Sequence, residues 1–378
     1  MDSQWFDRLV QASEGATFRR RAALALGAGG LLALLGAAGE DEDALAKDRR
    51  RRRKQRHRKR GNAGKRKGKR CKRKTNATLC AGRCGTRKNC GRKVNCGGCS
   101  WAGEVCTSQK VCAAQSCAVN ADCPAGGICD QGACVQCTVT CDAADHVCDG
   151  AALQAAVAAG GTVVVCPGQY VGLYVTPEGA AVTVIGAGMG DDPSVDTILD
   201  ANNAGRLMRV PDGATARFRR LRFTRGLTLT GSGLGCGTAS NVTVEQCAFA
   251  GNGDATGFGG GARFDGNAEI SDSLFTGNSG LSGGAVYFDG FETWVLTFRR
   301  SEIRGNTAVN GAGIYGTLTQ LNVLDHTVIT ENTSSSGSSG GGIDTAVLSV
   351  VTISPDSSVA NNTPVDCTIY GPLNGTCG

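Results

Sequence analysis

Three places in the sequence set acidic side chains in patterns that could support chemistry. Asp191 and Asp192 are adjacent and follow a glycine, whereas Asp265 and Asp289 each precede a glycine in a repeated Phe-Asp-Gly string. Two carboxylates on neighbouring parts of a fold can act as an acid and base pair, or can bind calcium through their oxygens. Asp-Gly is also a frequent turn dipeptide, so a structural role is the alternative interpretation for Asp265 and Asp289. The four aspartates are candidates, and they do not amount to a named catalytic set.

Other residues that commonly take part in catalysis are sparse. Residues 142–378 contain no lysine, and His146 and His326 lie far apart in sequence. The arginines that could instead serve as the base of a lyase are Arg263, Arg299 and Arg300. No GxxxxGK[ST] string is present, which argues against a phosphate-binding loop. The sequence therefore predicts no cofactor and no metal site, with calcium at the aspartates as the one open option.

Four asparagines recur at a nearly constant spacing. They are Asn252, Asn278, Asn306 and Asn332, separated by 26, 28 and 26 residues. A repeat period of about 20 to 50 residues predicts a solenoid, in which each unit packs only against its neighbours. Stacked asparagine amides can form a hydrogen-bonded ladder along such an axis, and asparagine tolerates the left-handed backbone of sharp corners. We therefore interpret the series as a structural ladder and not as a ligand site.

The elements that would position these side chains are short strands. Residues 249–343 contain β-branched and aromatic runs separated by glycine-rich phrases, and none of the repeats contains a helix-length apolar pattern. This pattern predicts an all-β parallel β-helix with one coil per repeat. Similar runs begin near residue 162, so residues 142–378 would form roughly nine to ten coils. Because stacked strands lie about 4.8 Å apart, the rod would be on the order of 45 Å long.

A cap should precede the first coil. Residues 150–159 fit a short amphipathic helix with Asp149 as its N-cap, and a buried strand follows at residues 162–165. Cys148 and Cys166 flank the helix and this strand, so a disulfide between them is the preferred pairing. Near the other end, Cys367 and Cys377 are expected to bond and close the last coil. A bond between Cys236 and Cys247, which are 11 residues apart, has no further support.

Two resemblances extend this interpretation. The strings ALQAAV, AGGTVVV and PGQY in residues 152–170 resemble the N-terminal cap and first rung of pectate-lyase-like right-handed β-helices. The phrases FAGN, FTGN, GGGA and GGAV in residues 249–286 resemble the FxxN and GGA[IVL] repeats of polymorphic outer-membrane-protein-like β-helices, although Ile303 and Ile329 replace phenylalanine in the later repeats. The first resemblance implies a right-handed solenoid and, as an alternative function, a polysaccharide lyase or hydrolase. The second implies a surface protein, often an adhesin.

Cysteine is concentrated before the solenoid. Of 20 cysteines, 14 fall between Cys71 and Cys141, and this density is typical of a disulfide scaffold in an oxidising compartment. The spacing around Cys117, Cys123 and Cys129 resembles the small DCPxGxxC repeats of secreted bacterial proteins. CxxC spacings also allow zinc, but an exported chain would oxidise its surplus thiols. Residues 75–141 are thus predicted to form a stiff disulfide-bonded stalk, whose connectivity the sequence does not specify.

The N-terminal residues have the pattern of an export signal. An arginine cluster at residues 19–21 precedes an uncharged run at residues 22–39 and an A-x-A site at residues 44–46. This arrangement resembles a twin-arginine signal, so residues 1–46 are predicted to direct export to the cell surface or beyond. The alternative is an uncleaved membrane anchor, since 18 apolar residues lie at the short end of the spanning range.

The next segment is strongly basic. Residues 47–74 hold 19 of the 40 lysines and arginines, whereas residues 142–378 have 11 arginines against 22 acids, a net charge of −11. The basic segment should be disordered and bind anionic cell-envelope polymers or lipid headgroups, or act as a spacer without a partner. Nucleic acid is disfavoured because the segment has no aromatic residue for stacking and follows an export signal. The chain as a whole is predicted to be an exported structural, adhesion or binding protein, with polysaccharide on the β-helix face as its expected ligand.

Overall fold

A computed structural model describes residues 79–378 apart from positions 91, 100, 101, 103, 108, 291, 292, 318, 319, 347 and 348. The predicted export signal of residues 1–46 and the basic segment of residues 47–74 lie outside the described residues. The described residues form one compact unit. Within the described ranges, no helix is both long enough and apolar enough to cross a membrane.

The predicted parallel β-helix is confirmed as an all-β solenoid of about nine turns. Its coils contribute strands to three parallel sheets, here named A, B and C. Sheet A contains β8 (Gly161–Val164), β11 (Ala181–Ile185), β14 (Thr215–Arg219), β17 (Asn241–Glu245), β20 (Asn267–Ser271), β24 (Val295–Arg299), β28 (Gln320–Leu324), β32 (Val350–Ile353) and β35 (Leu373–Asn374). Sheet B contains β7 (Val147–Asp149), β9 (Gly168–Val171), β12 (Thr197–Asp200), β15 (Arg222–Thr224), β18 (Ala248–Ala250), β21 (Leu274–Thr276), β25 (Glu302–Arg304), β29 (Val328–Thr330) and β33 (Ser358–Val359).

Sheet C is the third face of the coil. Its strands are β10 (Tyr174–Val175), β13 (Met208–Val210), β16 (Leu234–Cys236), β19 (Ala262–Phe264), β23 (Val286–Asp289), β27 (Ile314–Thr317), β31 (Gly340–Thr345) and β34 (Val365–Thr368). A smaller parallel sheet contains β22 (Ser279–Ser282), β26 (Thr307–Asn310) and β30 (Thr333–Ser334). The disulfide-rich segment adds three antiparallel hairpins, β1 (Thr86–Asn89) with β2 (Arg92–Asn95), β3 (Glu104–Cys106) with β4 (Cys112–Ala114), and β5 (Gly127–Asp130) with β6 (Ala133–Gln136). A 3-10 turn spans Asn120–Asp122.

The strands form because apolar residues alternate with polar ones and point inward coil after coil. In β17, Val242 and Val244 are buried while Thr243 between them is half-exposed. Inside sheet B, the rings of Phe223, Phe249 and Phe275 stack with 4.5 Å between successive centroids. Each of these rings is fully buried. Stacking identical residues in register lets every coil bury its apolar side chains against the next, which a single repeat could not do alone.

The asparagine series forms a continuous ladder inside the coil. The Asn278 backbone N–H and the Asn278 amide both donate to the Asn306 side-chain oxygen, at 3.0 and 2.9 Å. Asn252, Asn306 and Asn332 repeat this pair of contacts with the next asparagine along the chain. Each amide also donates to a backbone oxygen one coil earlier, such as Asn278 to Phe249 at 2.9 Å. The four side chains are therefore structural, with buried amides whose polar atoms are paired.

The ladder is longer than its sequence pattern. Asn332 donates to Asn362, which in turn donates to the Asp366 carboxylate at 2.8 and 3.0 Å. The asparagines themselves do not take the left-handed backbone that the sequence suggested. That conformation belongs to the residue before each of them, which has a φ near +60° and is glycine in the first three repeats; the set is Gly251, Gly277, Gly305, Glu331 and Asn361.

The N-terminal cap agrees in outline with the sequence. Helix α1 (Ala151–Ala159) buries Leu153 and Val157 against the first coil. Its N-cap position is Gly150 and not Asp149, but the Asp149 carboxylate still accepts a hydrogen bond from the Ala151 N–H at 2.9 Å. The helix therefore covers the end of the coil as expected for an edge that would otherwise be open.

The preferred Cys148–Cys166 disulfide is wrong. Cys148 bonds to Cys141, and Cys166 bonds to Cys137. The reason is the path of the chain: β7 joins sheet B and sets Cys148 opposite Tyr170, whereas Cys166 donates its N–H to the oxygen of Val139. Near the other end, Cys367 and Cys377 form a bond. Cys236 and Cys247 are both buried free thiols, so the pairing suggested for them does not form.

The later half of the disulfide-rich segment packs on the solenoid and does not project from it. Ile128 forms a small apolar cluster with Val164, Ile185 and Ala187 of the first coils. The bond between Cys137 and Cys166 links the two parts covalently. Residues 117–139 thus belong to the capped end of the coil. The remaining described pairings are Cys80–Cys96, Cys84–Cys106, Cys99–Cys112, Cys117–Cys129 and Cys123–Cys134.

Candidate functional site

The outer face of sheet C carries a row of residues that differs from the rest of the solenoid surface. The strand register aligns one residue from each successive coil, in the order Arg209, Gly235, Arg263, Tyr287, Tyr315 and Asp344. Neighbouring members of the row belong to adjacent strands, about 4.8 Å apart. We call these six positions the sheet C row. It places cations at one end, aromatic rings in the middle and a carboxylate at the other end.

Three arginines surround a cleft of about 200 Å³ at the cationic end of the row. They are Arg206, Arg209 and Arg263, and the lining is completed by Thr230, Asp212 and Asp265 among others. Arg209 is exposed, while Arg206 is half-buried and donates to the Thr230 backbone oxygen at 2.9 and 2.6 Å. Within the described residues neither of these two arginines forms an ion pair, so both can receive an anionic group.

Arg206 occupies its place because position 235 is glycine. A Cβ on Gly235 would lie 2.6 Å from the Arg206 Nε and 2.9 Å from its Cζ. The guanidinium therefore lies across the strand where other members of the row have a side chain. The glycine thus allows a third cation to lie between Arg209 and Arg263. Arg206 and Arg209 belong to one coil, and Arg263 belongs to the coil two further along.

Arg263 links two of the candidate aspartates. Its Nε donates to both oxygens of Asp265 at 2.8 and 3.1 Å, and its Nη2 donates to Asp289 at 3.2 Å. Asp289 also accepts a hydrogen bond from the Thr317 hydroxyl at 2.6 Å. Asp265 and Asp289 are therefore on one surface, as their repeated Phe-Asp-Gly string suggested, and one guanidinium lies between them.

Aromatic rings continue the row from Arg263. The Arg263 guanidinium carbon lies 5.1 Å from the centre of the Tyr287 ring, within the range of a cation–π contact. The Tyr287 ring stacks on that of Tyr315, with centroids 5.5 Å apart, and its edge contacts Phe258. Both tyrosines are half-buried, and neither phenol hydroxyl hydrogen-bonds to another described residue. The row thus offers ring edges and hydroxyl groups to a ligand.

Burial shifts the pKa values of several groups on this surface. It raises the pKa of Asp265, although the hydrogen bond from Arg263 acts in the opposite direction. Burial also lowers the pKa of the Arg206 guanidinium, and the neighbouring Arg209 and Arg263 charges add to that effect. The pKa of Tyr287 is raised, mainly by burial and then by Asp289. The cleft is therefore partly desolvated and holds three guanidinium groups against two carboxylates, Asp212 and Asp265, so that an anion would stabilise the excess positive charge.

Calcium does not fit the two stacked aspartates as they are arranged. Calcium binds six to eight oxygen ligands, whereas both carboxylates here accept hydrogen bonds from Arg263. A divalent cation would have to displace that guanidinium and would face two more arginines nearby. The zinc alternative fails for a different reason, because Cys96, Cys99, Cys134 and Cys137 all form disulfides.

The other candidate residues lie elsewhere. Asp191 and Asp192 belong to the loop between β11 and β12, where Asp192 accepts hydrogen bonds from the Ser194 N–H and hydroxyl at 2.9 and 2.7 Å. Asp191 borders a shallow depression beside Gln169, Asp200 and Arg225. Neither Asp191 nor Asp192 lines the sheet C cleft. Of the arginines considered as a base, Arg299 pairs with Asp325 and Arg300 with Asp272, at the end of sheet A.

Several members of the row escaped the sequence analysis. In each repeat the member of the row is the residue directly after the glycine-containing phrase, namely Arg263, Tyr287, Tyr315 and Asp344. That shared position was the only sign in the sequence that these residues belong together. Arg206 and Arg209 precede the recognisable repeats. Arg209 is found only from the strand register, and Arg206 only from its contact with Gly235. Comparison with protein-family models, with curated proteins and with solved structures finds no match for this chain.

Proposed function

We propose that the chain is an exported binding protein, secreted or held at the cell surface, whose solenoid binds an acidic carbohydrate polymer along the sheet C row. The observation that carries this proposal is that the strand register aligns Arg209 and Arg263 with Tyr287 and Tyr315, while the Arg206 side chain covers Gly235 between the two arginines. Arginine can hold a carboxylate or sulfate through two parallel hydrogen bonds. Tyrosine supplies an apolar edge and a hydroxyl group, which suits a sugar ring.

The geometry also suits a polymer better than a small molecule. The cleft holds about 200 Å³, which is below the range of about 300–1,000 Å³ typical of drug-sized ligand pockets. The row continues past it along the axis, so a chain of sugars could contact several coils at once. The resemblance to pectate-lyase-like β-helices and to adhesin-type repeats agrees with this ligand class and with an exported protein, and it remains fold-level support.

An enzyme is the second candidate function. Asp265 and Asp289 lie on adjacent coils beside the same guanidinium, and burial raises the pKa of Asp265. A carboxyl group with a raised pKa can donate a proton to a leaving sugar oxygen, while a second carboxylate acts as base. This candidate shares the surface of the binding proposal and differs from it only in turnover.

An oligosaccharide array with matched acidic and neutral sugars tests both functions. The binding proposal predicts retention of uronic-acid or sulfated chains, weak retention of neutral chains of the same linkage, and no product. Release of shorter sugars that is abolished by Asp265→Asn would favour the enzyme. Equal binding of acidic and neutral chains would contradict the role given to the arginines.

A further inference from the structure

The first part of the disulfide-rich segment carries its own positive charge, separate from residues 47–74. Residues 79–116 contain six cationic residues and one acid, Glu104, a net charge of +5. The cationic residues are Arg83, Arg87, Lys88, Arg92, Lys93 and Lys110. Four of the six lie on the hairpin formed by β1 and β2. This hairpin, which we call the cationic hairpin, is far in sequence from the sheet C row.

The pairing of the two strands brings like charges together. Lys88 lies directly opposite Lys93, and Arg92 lies opposite Asn89. Lys88, Arg92 and Lys93 are exposed, and none of them forms an ion pair with another described residue. Like charges directly opposite each other destabilise a pair of strands. The arrangement therefore lowers the stability of the fold, and no ion pair within the described part of the chain offsets the repulsion.

Covalent links hold the hairpin in this unfavourable arrangement. Cys84, just before β1, bonds to Cys106, and Cys96, just after β2, bonds to Cys80. The Lys110 ammonium donates to the Thr86 backbone oxygen at 2.6 Å, and this bond holds the turn between β3 and β4 against β1. A ligand that neutralises the cations would thus find them already positioned, and binding would not have to order a flexible segment.

We propose that the cationic hairpin binds a linear anionic polymer other than a nucleic acid. Residues 88 and 93 lie on one face of the hairpin and residue 92 on the other, because successive side chains of a strand alternate. A polymer can contact both faces, whereas a flat lipid surface can contact only one. In the described part of the hairpin none of the large apolar side chains is exposed for insertion among lipids. Residues 79–99 contain no aromatic residue for stacking on bases, so recognition rests on charge.

The test uses the full chain with long-chain inorganic polyphosphate as the probe. The variant is Lys88→Gln/Arg92→Gln/Lys93→Gln, and its matched control, Arg50→Gln/Arg51→Gln/Arg52→Gln, removes the same charge from the basic segment. Neutralising three contacts should lower the slope of log affinity against log salt by about 2 and weaken binding at low salt by about tenfold, more than in the control. Acetylation of Lys88 and Lys93, read by mass spectrometry, should be slowed when polyphosphate is bound.

Three outcomes would overturn the proposal. The first is an acetylation rate of Lys88 and Lys93 that polyphosphate does not change, together with equal losses of polyphosphate affinity in the two triple variants. This result would assign binding to the basic segment alone. The second is stronger protection by vesicles of phosphatidylglycerol in phosphatidylcholine than by polyphosphate, which would indicate a membrane surface. The third is tighter binding of double-stranded DNA. The intact mass of the oxidised variant and its thermal unfolding check the fold, and relief of repulsion predicts an unfolding temperature no lower than that of the parent.

Discussion

Arg219 on β14 forms an ion pair with Asp130 at the end of β5, and the two side chains are only 8% and 12% exposed. The neighbouring Arg220 donates to the Cys129 backbone oxygen and to that of Ala187. These contacts join the disulfide-rich segment to the third turn of the solenoid, in addition to the Cys137–Cys166 bond. The capped end of the coil is therefore held by charge as well as by covalent links.

Replacing Asp130 should consequently destabilise the protein. Asp130→Asn leaves the buried Arg219 guanidinium with only the Glu245 carboxylate, 3.6 Å from its Nε, as a counter-charge, and breaking a buried ion pair costs roughly 3 kcal/mol. Urea unfolding with the disulfides intact measures the effect. Asp272→Asn is the matched control, because the Asp272–Arg300 pair is exposed and such pairs contribute about 1 kcal/mol or less. Equal effects of the two variants would show that the contact does not hold the segment in place.

The asparagine ladder predicts a large cost for a small deletion. Asn306→Ala removes the acceptor of the buried Asn278 backbone N–H and of one N–H of the Asn278 amide, and it removes the donor to the Phe275 oxygen. The change should lower the free energy of unfolding by about 3 kcal/mol. Asn241→Ala, at an exposed position of β17, should change it by less than about 0.5 kcal/mol. Similar values for both variants in the same unfolding experiment would contradict the structural role given to the ladder.

Position 331 should accept glycine with a gain in stability. Glu331 has a φ of 59°, whereas the equivalent corners of the three earlier repeats are glycine. Since a left-handed backbone costs a residue with a Cβ about 1 kcal/mol, Glu331→Gly should stabilise the protein by up to that amount. Gly305→Ala should destabilise it by a similar amount. Thermal unfolding of the pair measures both, and a loss of stability in Glu331→Gly would be inconsistent with the assigned corner.

Stability should also depend on the pH through Asp344. Burial raises the pKa of this carboxyl group, which accepts a hydrogen bond from the Ser339 hydroxyl. Because the pKa of Asp344 is higher in the folded state, the stability that this carboxyl group contributes is present below its unfolded-state pKa of about 4. That contribution is lost as the pH rises through its folded-state pKa. Asp344→Asn should therefore match the parent at acidic pH and be more stable than the parent at neutral pH.

The control for this pH experiment has the opposite sign. The hydrogen bond from Arg300 lowers the pKa of Asp272, so that carboxylate contributes stability above its unfolded pKa and loses it as the pH falls. Asp272→Asn should be less stable than the parent at neutral pH and equal to it in acid. Urea unfolding across the acidic to neutral range distinguishes the two patterns, and parallel curves for Asp344→Asn and the parent would refute the account of Asp344.

The sequence predicted the coil well because its signals are local and repeated. The spacing of Asn252, Asn278, Asn306 and Asn332 and the alternation in the strands between them follow directly from the geometry of one turn. Asn362 escaped notice because the phrase around it has lost its glycines, while its buried amide keeps the same contacts. The ladder therefore extends one coil beyond the sequence repeats from which it was predicted.

The parts that the sequence did not predict depend on where the chain runs between coils. Cys148 and Cys166 are close in sequence, but β7 carries one of them away to sheet B, so each pairs with an earlier cysteine. The sheet C row likewise draws one residue from each coil, and its members share a register but no residue type. Arg206 joins the row only because Gly235 leaves room for it. These contacts join residues of different coils, so they depend on how the coils stack and not on any local sequence pattern.

The central claim is that the sheet C row binds an acidic carbohydrate. It is tested most directly by calorimetric titration of an oligogalacturonate into Arg209→Gln and Arg304→Gln in parallel. Arg209 is exposed beside the cleft without an ion pair in the described structure, whereas Arg304 is an exposed arginine of sheet B that pairs with Glu302. We expect Arg209→Gln to weaken binding about tenfold, the equivalent of about 1.4 kcal/mol, and Arg304→Gln to leave it within about twofold. Equal weakening in the two variants, or no binding to the parent protein, would contradict the claim.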